Sequence, residues 1–116
     1  MKYIVPFESV PTYSPGGHRH TTNRRLIGKD HVGARSVEVV HGELLPGGVA
    51  ERHAHEDIDQ VVHVVAGQAR VEIGDERAEV GPRTTLWIPA TVPHEITAIG
   101  DEPLQLLVVY TPPLYR

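Results

Sequence analysis

Eleven glycines and ten prolines are scattered along this chain of 116 residues, and the segments between them are short and rich in Val, Ile and Leu. Gly and Pro at such intervals interrupt helices, whereas short β-branched runs favour extended chain joined by turns. Residues 36–44 read as a strand ended by the turn Leu45-Pro46-Gly47-Gly48, and the next strand carries His53 and His55. Residues 60–66 form a β-branched run that stops at Gly67, and residues 69–73 alternate apolar and polar side chains, so the two are expected to pair as a hairpin. Residues 76–80, 84–88, 95–99 and 104–110 continue the series, which predicts an all-β sandwich or barrel.

No long segment keeps a helical period with a cap, so little or no helix is expected. The first 30 or so residues differ from the rest, because Pro6, Pro11, Pro15, Gly16 and Gly17 break up any regular element. They read as an N-terminal arm, with residues 31–116 as the barrel of a single domain.

Composition narrows the chemistry. Cysteine is absent, which removes disulfides, thiolate metal sites and a Cys nucleophile, so any metal must use nitrogen or oxygen ligands. The net charge is −4 and Arg24-Arg25 is the only basic pair, which argues against nucleic acid as a partner. No stretch approaches the roughly 20 apolar residues that span a bilayer. The opening Met1-Lys2-Tyr3-Ile4-Val5-Pro6 lacks the apolar run of a secretory signal, so a cytoplasmic location and no membrane partner are expected.

The eight histidines are the strongest lead. On a strand alternate side chains share a face, so His53-Ala54-His55 aims two imidazoles the same way. The spacing alone is weak evidence, since His18-Arg19-His20 repeats it within the arm. Around the first pair, however, Gly47 stands six positions before His53, Gln60 five after His55, and Gly67 closes the run.

This segment resembles the first motif of the cupins, Gly-x5-His-x-His-x(3 or 4)-Glu-x6-Gly, with Gln60 in the glutamate position. The second cupin motif, Gly-x5-Pro-x-Gly-x2-His-x3-Asn, is matched in spacing by Arg83, Pro89, Thr91, His94 and Ala98, of which Pro89 and His94 keep the family's residue types. The likeness covers about residues 36–112. It implies a double-stranded β-helix, the jelly-roll barrel, in which His53, His55, Gln60 and His94 converge on one divalent transition metal: Fe, Mn, Ni, Cu or Zn.

Asp59 is a rival for the fourth position, because it satisfies the shorter spacing after His55. The interval to Gly67 and strand alternation favour Gln60. With three neutral imidazoles the centre would keep a charge near +2 and attract an anionic or chelating ligand, with Gln60 ligating weakly or holding a metal-bound water.

Such a centre suits a dioxygenase-type oxidoreductase acting on a small enol, diketone or phenol. The alternatives are a Lewis-acid isomerase or ring-opening enzyme on a sugar acid, and a non-catalytic binder of small ligands. No catalytic group beyond the ligands is assigned. Val62, Val64 and Ile96 are expected to line a dry pocket, and Trp87 and Tyr110 to be core or interface aromatics. His41 reads as a strand-end residue bonded to backbone, and His18, His20 and His31 as solvated unless the arm folds back over the barrel mouth. Val61, His63 and Val65 have outer parity, which predicts a homodimer, with the arm crossing to the neighbouring subunit.

Overall fold

The computed structural model of the chain describes residues 3–115, so Met1, Lys2 and Arg116, the ends of the expected arm and barrel, lie outside the described residues. Nine strands run in chain order: β1 Thr12–Tyr13, β2 His18–Ile27, β3 Glu38–His53, β4 Asp59–Ala66, β5 Gln68–Ile73, β6 Glu76–Val80, β7 Thr85–Ile88, β8 His94–Ile99 and β9 Leu104–Thr111. Among the described residues helix is confined to α1, Lys29–Val32, and a 3-10 turn at Phe7–Ser9. All the strand pairings are antiparallel, in the order β6-β5-β8-β3-β9-β4-β7, with β2 also on β3. The strand pattern predicts this all-β barrel, and the resemblance implies its jelly-roll form.

Two local readings are corrected. The segment Leu45-Pro46-Gly47-Gly48 does not end its strand, because β3 runs through it for 16 residues. Pro46 brings no N–H and Gly47 adopts φ +83°, so the strand bends there and changes partner. Glu38 to Leu44 pair with β9, and from Val49 onward β3 pairs with β8. Residues 60–66 and 69–73 do not form a hairpin either. β4 pairs with β7 and β9, while β5 pairs with β6 and β8. Gly67, at φ +85°, carries the chain from β4 to β5, which lie on opposite sides of β3 in the strand order, and a Cβ there would meet Pro103 O at 2.6 Å.

Alternation sets the core. Along β4, Gln60, Val62 and Val64 are buried, while Val61 and His63 are half-buried and Val65 is exposed. Val62 and Val64 join Val40, Leu44, Val71, Ile88, Ile96, Leu104 and Leu106 in one apolar cluster. Each such side chain contributes roughly 1.5–3 kcal/mol on leaving water. The edge strand β6 is exposed and carries Glu76, Arg77 and Glu79, charges that discourage pairing with another chain.

The arm lies on its own barrel. β2, which the sequence left without a regular element, pairs with β3 from His18↔Ala50 to Ile27↔Val39. Arg25 of β2 forms an ion pair with Glu38, which is 1 % exposed, and the other Glu38 oxygen accepts from the backbone N–H groups of Leu114 and Tyr115. One buried carboxylate therefore ties the N-terminal strand and the C-terminal turn to β3.

Candidate metal centre

His53 ends β3 and His94 begins β8, and the two are registered partners across that ladder. Their ring centroids are 4.3 Å apart. The strand stops at His53, so His55 lies in the following loop rather than on the same strand as expected. Its ring nevertheless stays on the same side, 4.9 Å from His53 and 5.7 Å from His94. A backbone bond from Thr91 N–H to His55 O, 2.7 Å, fixes that loop against the turn before β8. One ligand atom from each of the three rings lies within 4.8 Å of the others.

The turn at residues 89–92 explains the second motif. Val92 N–H donates to Pro89 O, and Thr91 adopts φ +73°. Arg83 adopts φ +69°. Both stand where the resemblance has glycine, so the left-handed backbone persists although the residue types have changed.

Hydrogen bonds orient the rings. His53 Nδ1 bonds to Glu51 O at 2.6 Å and His94 Nδ1 to Val92 O at 3.0 Å. A carbonyl can only accept, so the proton sits on Nδ1 in each ring, and the Nε2 of a neutral ring is left with its lone pair. His94 Nε2 and His55 Nε2 are buried with no hydrogen-bond partner among the described residues. Burial is the main cause that lowers the His94 pKa to about 4, with the Val92 bond opposing and His53, His55 and Arg52 adding to the drop. Burial, then His53, also lowers His55. Both rings are therefore neutral near pH 7, which is the form that ligates a metal.

Gln60 is 5 % exposed and its Oε1 has no hydrogen-bond partner among the described residues. It points inward with Val62 and Val64. Asp59 has the opposite parity, and its Oδ1 accepts from Ala90 N–H at 3.0 Å. The rival carboxylate is thus engaged in holding the 89–92 turn.

A cavity of about 500 Å³ opens beside the cluster, lined by His53 and His55, by Tyr13, His18, Asn23 and Arg25 of the arm, and by Arg52, Tyr110 and Leu114. The residues expected to line it, Val62, Val64 and Ile96, pack in the closed core instead. Tyr110 both packs against the core and meets the His55 ring edge-on at 5.9 Å, and burial raises its pKa, so it is a neutral phenol. Trp87 is 58 % exposed and faces outward.

His18 is the residue that motif spacing missed. Its ring lies 5.9 Å from His53, and burial is the main cause that lowers its pKa. His41 bonds to Gln105 Oε1 at 3.1 Å rather than to backbone, and His63 to Thr85 Oγ1 at 2.8 Å on the outer face.

A family model described as "Cupin domain" matches residues 40–110. The solved structure of the polyketide cyclase RemF from Streptomyces resistomycificus is 26 % identical, with a TM-score of 0.84 over 97 % of this chain and 81 % of that one. The tetracenomycin polyketide synthase protein TcmJ of Streptomyces glaucescens is 26 % identical over 89 % of this chain and 66 % of that protein. An uncharacterised protein of Streptomyces coelicolor is 32 % identical over 60 % of this chain and 65 % of its own length. This chain thus spans less than two thirds of the length of these two curated relatives.

Proposed function

Because the chain belongs to the cupin family, we propose that it is a metal-dependent enzyme whose His53, His55 and His94, with Gln60 as fourth partner, hold one divalent transition metal. The observation that carries this is the set of buried polar atoms without hydrogen-bond partners among the described residues, His55 Nε2, His94 Nε2 and Gln60 Oε1. A buried polar atom left unbonded costs about 1–3 kcal/mol, and a shared cation would satisfy several at once. Nitrogen and amide-oxygen donors fit Fe, Mn, Ni, Cu or Zn.

The substrate we infer is a β-dicarbonyl or its enol, belonging to a larger poly-β-carbonyl chain. A bound cation would supply Lewis acidity to two chelating oxygens. The cavity of about 500 Å³ has room for a small organic molecule, and Tyr13 and Tyr110 contribute aromatic surface to its lining. Arg52 also lines the cavity and adds positive charge there, whereas the Arg25 guanidinium is already paired with Glu38. The favoured reaction is an aldol-type cyclisation. The carbon between two carbonyls loses a proton and bonds to a distant carbonyl carbon, whose oxygen takes up a proton. The likeness to RemF and TcmJ, whose names refer to polyketides, supports this substrate class.

Dioxygenation of the same enol is the second reading, supported by the neutral ligand set. The two are separated without oxygen. Under nitrogen, the metal-loaded protein is expected to speed deuterium exchange at the methylene of pentane-2,4-dione, read by NMR, with no effect from His94→Ala protein. Turnover only in air, with one dioxygen consumed per substrate, would replace cyclisation by dioxygenation. Absence of binding and exchange would overturn both.

The outer face is read as a homodimer contact. Val61 pairs in register with Trp87, and exposed Val65 continues the same face.

A further inference from the structure

The least explained polar atom outside the cluster is His18 Nδ1, which is buried and bonds to nothing among the described residues. The backbone goes to some length to place it. His18 pairs with Ala50 on β3, Glu51 N–H donates to Gly17 O at 3.2 Å, and the irregular residues Gly17 (φ +73°) and His20 (φ +54°) stand on either side. The result is a fourth imidazole that lines the same cavity as His53 and His55. It is not one of the three residues whose donor atoms lie within 4.8 Å of one another. A buried ring nitrogen without a partner is destabilising, and a ligand in the cavity is the natural source of one.

We propose that His18 is a specificity-determining residue: it hydrogen-bonds a third oxygen of the ligand, beyond the two that chelate at the cluster, and so selects poly-β-carbonyl compounds over simple β-diketones. This rests on the metal-centre reading above and adds to it the recognition of chain length. Depending on its tautomer, Nδ1 accepts from an enol hydroxyl or donates to a carbonyl. Neither bond is available to a two-oxygen ligand.

Two probes test it, pentane-2,4-dione and heptane-2,4,6-trione, titrated into the full chain loaded with zinc. The wild type is expected to bind the trione about tenfold more tightly, the worth of one well-made buried hydrogen bond. His18→Ala should bring the two affinities level while metal stoichiometry stays at that of the wild type, and His18→Gln, which keeps a polar end, should restore part of the preference. Melting curves of both variants establish that the arm still folds. If the trione preference survives in His18→Ala, or if that variant loses its zinc, the proposal is overturned. If neither probe binds the zinc-loaded wild type, the metal-centre reading falls with it.

Discussion

His53 and His94 are hydrogen-bond-ladder partners on β3 and β8, with rings 4.3 Å apart and each Nδ1 tied to the carbonyl two residues before it. The same local bond recurs on two strands from distant parts of the chain. It locks both rings in one tautomer before any ligand arrives, which lowers the entropy cost of closing a site.

The fourth position separates Gln60 from Asp59. Gln60→Glu adds a carboxylate to an otherwise neutral set and should tighten metal binding by roughly tenfold or more in a chelator competition. It should also weaken β-diketone binding, because the centre loses positive charge. Asp59→Ala should leave metal affinity unchanged and cost only the bond to Ala90 N–H, about 1 kcal/mol in a melt. The reverse pattern would make Asp59 the partner.

Thr91 and Arg83 are exposed side chains held at φ +73° and +69°. Thr91→Gly should stabilise the fold by about 1 kcal/mol, since relief of the left-handed strain exceeds the added entropy of the unfolded chain. A lower melting temperature would show that the Thr91 side chain makes a contribution the backbone does not reveal.

Much of the site was legible because its signals are local. The spacing of Gly47, His53, His55, Gln60 and Gly67, and the position of His94, needed no tertiary knowledge. The interval to Gly67 favoured Gln60, and strand parity then turned Asp59 away. What failed was partner choice. β-branched runs flanking a single Gly67 look like a hairpin, whereas β4 and β5 take partners on opposite sides of β3, a choice that depends on strands remote in sequence. His18 was hidden for the same reason, since its role depends on β2 pairing with β3 across a stretch that proline and glycine make look irregular. Glu38 gave no sign of being a buried anchor, because the groups it binds, Arg25, Leu114 and Tyr115, are remote in sequence.

Acid should destabilise the metal-free protein. The His94 pKa lies at about 4 in the fold against 6.5 for the free side chain. Between those values the unfolded chain binds the proton and the folded one does not, so stability is complete above pH 6.5 and falls as pH drops toward 4. For His94 alone the loss by pH 5 is about 2 kcal/mol. Denaturant titrations at pH 7.5 and 5.0 read it, and His94→Ala should show a shallower dependence. Equal slopes would remove His94 as the cause.

Light scattering should give twice the chain mass of 12.8 kDa at micromolar concentration. Trp87→Glu, on the exposed face beside Val61, should shift it to one chain without changing metal content. A wild type of single-chain mass would remove the dimer.

The central claim is that three imidazoles from two regions of the chain grip one cation. Elemental analysis of protein purified without added metal, repeated after dialysis against each of Fe, Mn, Ni, Cu and Zn, tests it directly. Close to one transition-metal ion per chain is expected in the wild type and almost none in folded His94→Ala. Equal metal content in both, or none in the wild type under any loading, would contradict it.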